Sequence, residues 1–229
     1  MTTLDKRISI CKRRPLSVQS KMLAAWLALI SCAALSTAVD AHPHVWVTSR
    51  TTVLFKDGAM TGLQHEWTFD ELYATMAVEG LDTNKDGKYD RAELQSLAQV
   101  NIDGLKDFEY FTAAEVGKKP LKFSAPVDYW LDYTNSVLTL HLTLPLVEPL
   151  PAKGQTVSIW IEDPSFFIAF DPAKDNAIKL AANAPQGCTA KLYAVPPTAT
   201  QQNLSDAFSG QLTPAASAND RAMEVKCAP

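Results

Sequence analysis

The chain has 229 residues, of which 47% are hydrophobic and 20% are charged, and its formal net charge is −4 at pH 7. This composition is ordinary for a globular protein and excludes a collagen-like chain or a chain built mostly of membrane spans. Six of the 21 basic and two of the 25 acidic residues lie in the first 41 positions, which leaves a net charge of −8 on the rest. That excess of negative charge argues against nucleic acid and anionic membrane surfaces as partners.

Residues 1–41 have the features of a cleavable signal peptide. Lys and Arg side chains precede an apolar run of 14 residues, 22–35, which is short for a membrane span. Val39 and Ala41 place small residues at positions −3 and −1 of a cleavage site after Ala41. We therefore expect a periplasmic protein with no membrane insertion after cleavage. The alternatives are an uncleaved anchor and a lipoprotein signal that ends at Cys32.

Removal of the predicted signal peptide lowers the number of cysteines from four to two. Cys11 and Cys32 lie within it, so Cys188 and Cys227 are the cysteines of the mature chain. An even number in an oxidising compartment predicts one disulfide, and two unpaired thiols are the alternative. The 188 residues that remain are enough for one core, so we expect a single domain over 42–229.

The strongest motif runs from residue 82 to residue 93 and reads D-T-N-K-D-G-K-Y-D-R-A-E, which is the pattern of an EF-hand calcium loop. Gly87 stands where that loop turns sharply. Carboxylates crowded into so small a volume repel one another unless a divalent cation is bound. A polar turn that binds nothing is the alternative. The positions that supply oxygen ligands to calcium hold Asp82, Asn84, Asp86, Lys88 (through its carbonyl), Asp90 and Glu93.

Two helices are predicted to flank the loop. A capping box, with Thr68 as the N-cap and Glu71 as its partner, begins an entering helix of about three turns. Asp90 and Glu93 form a second helix-start signature. An apolar stripe then follows for the exiting helix, made of Leu94, Leu97, Ala98, Ile102 and Leu105. The sequence therefore predicts an EF-hand-like helix–loop–helix over residues 68–107.

The rest of the chain is predicted to form strands. Residues 45–55 and 59–67 alternate around an Asp57-Gly58 hairpin turn. Many short strands with regular turns predict a mainly β fold, an antiparallel β-sandwich into which the helix–loop–helix is inserted. Further strands are expected at 108–116, 121–123, 127–133, 137–144, 156–161 and 166–170, and residues 196–222 are expected to form a mobile loop.

The histidines suggest a second kind of metal site. Cleavage after Ala41 would make His42 the N-terminal residue and His44 the third, although Pro43 lacks the amide proton that planar chelation must lose. Nitrogen ligands favour copper, nickel or zinc over calcium. His65 is a candidate third ligand, but simple hairpin pairing places it opposite Arg50, about 20 Å from His44. Surface histidines without a metal role are the alternative, and His141 is predicted to lie on the non-core face of its strand.

Nothing in the sequence supports hydrolytic catalysis, because it contains no G-x-S-x-G motif and no glycine-rich phosphate loop. We therefore expect a protein that is not an enzyme. Asp128 and Asp132 are expected to be ordinary same-face residues of one strand rather than a catalytic carboxylate pair. The aromatic run of Phe166, Phe167 and Phe170 is expected to form a buried strand rather than a partner-binding patch.

Several motifs occur in one order along the chain: H-P-H-V-W-V, H-E-W-T-F-D-E, the calcium-type loop, D-Y-W-L-D-Y, L-T-L-P-L and D-P-S-F-F-I-A-F. Together they resemble domain-of-unknown-function family 1007, whose members are described as the periplasmic component of an uncharacterised ABC-type transport system. The resemblance covers roughly residues 42–190. Members are often encoded beside nickel/cobalt-type metal permeases.

The resemblance implies a role in nickel/cobalt-type metal transport, with a membrane permease or transporter as the partner. Together with the calcium-type loop, this predicts a calcium-binding accessory component of such a system. Two alternatives from other classes remain open at this point. One is a copper-dependent redox enzyme that holds its metal in an N-terminal histidine brace, and the other is a purely structural interaction module.

Overall fold

A computed structural model describes residues 44–165, 167–194 and 221–229, which belong to one compact unit spanning 42–229. The predicted signal peptide, His42 and residues 196–220 lie outside the described residues. In the described ranges the helices are α1 (Glu71–Ala77), α2 (Arg91–Leu105) and a 3₁₀ helix (Lys106–Phe111). None of these helices is long and apolar enough to cross a bilayer.

Eleven strands account for most of the described chain. They are β1 (Val45–Lys56), β2 (Ala59–Phe69), β3 (Thr112–Val116), β4 (Lys119–Pro120), β5 (Val127–Thr134), β6 (Val137–Pro151), β7 (Thr156–Ile161), β8 (Ile168–Pro172), β9 (Ile178–Leu180), β10 (Cys188–Ala194) and β11 (Arg221–Cys227). The helices all lie between β2 and β3 in the chain. The prediction of a mainly β fold is confirmed.

The strands form two sheets. The first has the order β5-β6-β2-β1-β8, with β9 also paired to β1, and the second has the order β10-β11-β7-β3-β4. Neighbouring strands are antiparallel except that β8 and β9 run parallel to β1. The strand patterns in the sequence predict antiparallel pairing and do not predict these two parallel pairs. Because β7 lies in the second sheet, the chain changes sheets before β8, and no tight hairpin fixes the direction of that strand.

Alternating apolar side chains build the core, as the strand patterns predict. Leu138, Leu140, Leu142 and Leu144 on β6 are fully buried. They belong to a cluster that also contains the α2 residues Leu94, Ala98 and Ile102. A second cluster combines side chains from both sheets, including Val53 and Leu63 from the first and Ile159 and Val225 from the second. The helices therefore cover one part of the first sheet, and the second sheet covers another part.

A β-bulge changes the register of the β1–β2 hairpin. Phe55 pairs with Met60, but Leu54 pairs with Gly62, so one residue of β2 has no partner on β1. His65 consequently lies opposite Thr51. The predicted pairing of His65 with Arg50 is wrong by one residue for this reason.

Gly62 lies where the β6 backbone leaves no room for a side chain on β2. A Cβ atom at Gly62 would meet the Leu144 carbonyl oxygen at 2.5 Å and the Pro145 Cα atom at 3.0 Å. Because both neighbours are backbone atoms, we expect Gly62→Ala to lower the free energy of unfolding in urea by roughly 1–3 kcal/mol.

Gly104→Ala is the matched control for that prediction. A Cβ atom at Gly104, inside α2, would meet nothing within 4 Å. Alanine should therefore stabilise the helix by about 0.5–1 kcal/mol. Equal unfolding free energies for wild type and Gly62→Ala would contradict the close approach of β2 and β6.

The helix α1 starts later and is shorter than predicted. Because β2 continues to Phe69, the N-cap is Asp70, whose carboxylate accepts a hydrogen bond from the Tyr73 N–H at 2.9 Å. Thr68 belongs to the strand, and its hydroxyl lies 3.1 Å from the Thr139 hydroxyl. The predicted Thr68 capping box and three-turn entering helix are therefore wrong. The capping box of Asp90 and Glu93 at the start of α2 is confirmed.

Several other boundaries also differ from the prediction. β4 lies at Lys119–Pro120 instead of 121–123, and β6 continues to Pro151 instead of ending at residue 144. Residues 108–111 are not strand residues, because the consecutive side chains of Tyr110 and Phe111 are both buried and a strand would turn one of them outward. They end the segment that begins with the 3₁₀ turn at Lys106, and residues 108–110 depart from helical dihedral angles. Residues 221 and 222 belong to β11, so the segment predicted to be mobile is two residues too long at that end. The two helices and their loop also occupy less than the predicted 68–107, since Thr68 and Phe69 are strand residues.

Candidate metal centre and its surroundings

The loop from residue 82 to residue 93 connects α1 to α2 and turns its side-chain oxygens toward its own backbone. The carboxylate of Asp82 accepts hydrogen bonds from the backbone N–H groups of Asp86 at 3.2 Å and Gly87 at 3.0 Å. The Asn84 side-chain oxygen accepts from the same Asp86 N–H at 2.8 Å. Gly87 has φ +77°, a conformation that side chains disfavour. The side chains at loop positions 1 and 3 therefore converge on one point.

Glu93 closes the loop from its other end. One carboxylate oxygen accepts hydrogen bonds from the backbone N–H and the hydroxyl of Thr83, both at 2.8 Å, and the other accepts from the Asp90 N–H at 3.1 Å. These bonds, with the Asp90 backbone N–H first among them, lower the pKa of the Glu93 carboxyl. Glu93 is therefore an ionised carboxylate that spans the loop at neutral pH.

The donor set fits calcium, because every predicted ligand is a hard oxygen atom. Among the described residues, however, no group of three or more His, Cys, Asp or Glu side chains lies close enough together to hold a metal ion. The loop carboxylates take backbone partners instead. Asp86 accepts from the Lys88 N–H at 2.8 Å, and Asp90 accepts from the Ala92 and Glu93 N–H groups. Calcium coordination would require several carboxylates to turn from the backbone toward one ion.

The described histidines do not gather around a second metal. His44 is exposed just before β1, and its ring centroid lies 5.0 Å from that of Phe167. His65 pairs with Thr51, which is seven residues beyond His44, or about 23 Å at strand spacing. His65 therefore does not join His44 in one site.

His65 is a core residue that connects the two sheets. It is fully buried, with Nδ1 3.0 Å from the Thr51 hydroxyl and Nε2 3.4 Å from the Thr112 hydroxyl. Burial lowers the pKa of its imidazole to about 3. The side chain is consequently neutral at physiological pH and serves as a hydrogen-bonding member of the core.

Comparison with known proteins identifies the family. Residues 27–227 match the family described as "Protein of unknown function (DUF1007)". The chain belongs to this family. The family predicted from the sequence motifs is therefore confirmed.

Two relatives give the range of similarity. The chain is 26% identical over 159 residues to an uncharacterized protein of Haemophilus influenzae, covering 69% of this chain and 75% of that protein. It is 31% identical over 85 residues to an "Uncharacterized 15.5 kDa protein in trpE 3'region" of Spirochaeta aurantia, covering 37% of this chain and 61% of that protein. Neither name states an activity, so the comparisons establish the DUF1007 family and no function.

This DUF1007 chain connects its calcium-type loop to the first sheet through stacked side chains. The His141 ring lies parallel to that of Trp130, with centroids 4.6 Å apart and an angle of 6°, and it hydrogen-bonds to the Asp132 carboxylate. The Arg91 guanidinium, which follows the predicted ligand Asp90, lies 4.4 Å from the Trp130 ring centroid. The start of α2 is thereby fixed against β5 and β6.

Asp128 and Asp132 do not form a pair in this cluster. The strand register shifts between Val127 and Trp130, and Asp128 has a positive φ of 49°. The interruption breaks the simple alternation that would give the two carboxylates one face. The expectation that they share an ordinary strand face is wrong, although His141 does lie on the non-core face as predicted.

The D-P-S-F-F-I-A-F segment of this family member begins with a turn at Pro164 and Ser165 and ends with the first residues of β8. Asp163 is buried and accepts hydrogen bonds from the Ser165 N–H at 2.8 Å, the Ser165 hydroxyl at 2.7 Å and the Ile168 N–H at 2.9 Å. Phe170 is buried as predicted, but Phe167 is 53% exposed and precedes the strand. Phe166 lies outside the described residues.

Proposed function

We propose that this chain is an exported calcium-binding protein that acts as an accessory component of a nickel/cobalt-type metal transport system. The observation that carries the proposal is the loop at 82–93. Asp82 and Asn84 converge on the Asp86 backbone nitrogen, and Glu93 spans the loop from the opposite end. This arrangement supports an EF-hand-like helix–loop–helix in which the Lys88 carbonyl completes the ligand set.

Calcium would have a structural role at this position. Asp90 and Glu93, both predicted ligands, also form the capping box of α2. The buried face of α2 belongs to the core that covers the first sheet. An ion that orders the loop would therefore fix the first turn of a helix on which the core depends, and weak binding with a dissociation constant of about 0.1–1 mM would suffice outside the cytoplasm.

Export and architecture complete the proposal. The Cys188–Cys227 disulfide supports an oxidising compartment such as the periplasm, because such bonds persist there and are rare in the cytosol. The apolar cluster shared by both sheets supports an antiparallel β-sandwich as the architecture.

The role in transport is one of binding rather than catalysis. In this proposal His42 and His44 present nitrogen ligands at the mature N-terminus to a nickel, copper or zinc ion, and a membrane permease receives it. The exposure of His44 supports this arrangement, because a cargo ion must be able to enter and leave.

Replacement of Glu93 by glutamine tests the calcium site. Binding only to the folded state should raise the free energy of unfolding of the wild type by about 2.7 kcal/mol at a hundredfold excess of calcium over Kd. For a chain of this size the thermal midpoint should rise by roughly 5–10 °C. Glutamine keeps the side-chain volume and can still serve in the capping box, but it lacks the charge of the bidentate ligand. Glu93→Gln should therefore lose most of the calcium-dependent increase in unfolding free energy.

Thermal unfolding with chelator and with millimolar calcium measures the difference. Asp107→Asn is the matched control, because it removes one exposed carboxylate on the 3₁₀ helix outside the loop and should keep the full calcium gain. Magnesium should stabilise the wild type much less, since it prefers a smaller shell and retains its waters. A wild-type midpoint that does not respond to calcium would mean that the loop is only a turn.

A further inference from the structure

An apolar groove of about 350 Å³ lies between α1, α2, the 3₁₀ helix and the described residues of 163–165 and 167–168, and we refer to it as the α2 groove. Three of its large apolar side chains are strongly exposed: Val100 is 67%, Phe108 49% and Phe167 53% exposed. Monomeric soluble proteins rarely leave a contiguous group of such side chains in water without a use for it. The α2 groove is therefore a candidate interaction surface.

The walls of the α2 groove are held in fixed positions. Asp163 holds the segment that carries Phe167 through three hydrogen bonds. On the opposite side, Glu109, Tyr110 and Phe111 have consecutive positive φ values of 51°, 54° and 48°. Non-glycine residues adopt that conformation at an energetic cost, and such residues cluster at ligand clamps. The strained turn keeps the Phe108 and Phe111 ring centroids 5.3 Å apart at the groove.

The charge around the α2 groove is negative. The described segments that carry its lining residues, 71–77, 97–111, 162–165 and 167–168, contain six carboxylates and one lysine: Glu71, Asp103, Asp107, Glu109, Glu162, Asp163 and Lys106. Asp163 is buried and engaged in its own three hydrogen bonds, whereas the other five carboxylates are exposed or half-buried. A second copy of this chain would bring the same acidic segments against these, and an anionic membrane would be repelled as well. Charge complementarity therefore favours a basic partner.

We propose that the α2 groove docks an apolar segment of a partner protein whose flanks carry Lys or Arg residues. The apolar residues of that segment would contact Val100, Phe108 and Phe167, and its basic flanks would face the acidic side chains of the segments around the groove. Phe167 also contacts the ring of His44. The inference rests on the proposed transport role in one respect, since it places the docked partner beside the histidine assigned to the cargo metal.

A synthetic Leu–Lys peptide with leucines at helical spacing is a suitable probe, and a Leu–Glu peptide of the same apolar pattern controls for charge. Isothermal titration of the mature protein should show binding of the Leu–Lys peptide and at least tenfold weaker binding of the Leu–Glu peptide. Phe167→Ser and Val100→Ser should each weaken Leu–Lys binding about tenfold or more. Leu72→Ser is the matched control, because Leu72 is 71% exposed on α1 and does not line the groove. It should bind the peptide as the wild type does.

Equal affinities for wild type, Phe167→Ser and Val100→Ser would overturn the inference, because the peptide would then bind through the overall negative charge of the protein and not through the groove. A wild-type dimer in sedimentation that Phe167→Ser abolishes would also overturn it, since a second copy would then occupy the groove. Titrations with chelator and with calcium separate this test from that of the calcium site. Groove-dependent peptide binding by a protein whose thermal midpoint does not respond to calcium would sustain the docking surface while removing the calcium proposal.

Discussion

Lowering the pH from 7 to 5 is expected to reduce the free energy of unfolding by about 2 kcal/mol through His65 alone. Burial lowers the pKa of His65 to about 3 in the folded protein, whereas the unfolded chain titrates near 6.5. Below pH 6.5 the unfolded state therefore binds a proton that the folded state does not. The stabilisation is complete above pH 6.5 and is lost as the pH falls through 3, below which the loss approaches roughly 5 kcal/mol.

His65→Gln separates this effect from general acid destabilisation. Glutamine retains hydrogen-bonding groups for Thr51 and Thr112 but does not titrate, so its unfolding free energy should change little between pH 7 and 5. Urea unfolding at both pH values provides the comparison. His44 and His141 are present in both proteins, so their contributions to the pH dependence of the unfolding free energy cancel in the comparison. An equal loss of stability in wild type and variant would contradict a neutral, buried His65.

Replacing both Cys188 and Cys227 by alanine is expected to lower the free energy of unfolding by about 4 kcal/mol on the chain-entropy model. The two cysteines face each other at the end of the β10–β11 pair, with a sequence separation of 39. Their bond therefore closes a long loop in the unfolded chain. It also ties β10, an edge strand of the second sheet, to β11.

Denaturant unfolding of the mature wild type and of the double alanine variant gives the magnitude. Thiol titration of the denatured, unreduced wild type should detect no free thiol, while the same sample after reduction serves as the positive control. Two thiols per chain before reduction would show that the bond is absent from the mature protein.

Local patterns predicted those parts of the fold that depend on neighbouring residues. Alternation identified the buried leucines of β6, and Asp90 with Glu93 identified the start of α2. The same alternation places His65 between Leu63 and Trp67 on the core face, which would have identified its burial. The tight turn at Asn135-Ser136 likewise sets Trp130 opposite His141, so that stacked pair was also within reach of the sequence.

Other features depend on contacts that sequence patterns do not contain. The bulge in β2 lies beside Gly62, where the β6 backbone approaches, and it shifts the register by one residue. The parallel direction of β8 follows from a change of sheet. The place of Arg91 over Trp130 requires α2 to be packed against β5. Buried Asp163 accepts a hydrogen bond from the Ile168 N–H at the start of β8, and Phe167 precedes that strand and is exposed, so the apolar run alone started the predicted strand too early.

Equilibrium dialysis of the mature protein against calcium tests the central proposal most directly. With free calcium raised through about 0.1–1 mM, the wild type should bind one ion per chain. Asp107→Asn should bind equally well, and Glu93→Gln should bind no measurable calcium over the same range. Wild-type protein that remains free of calcium at these concentrations, or Glu93→Gln that binds as the wild type does, would contradict a calcium site in the loop at residues 82–93.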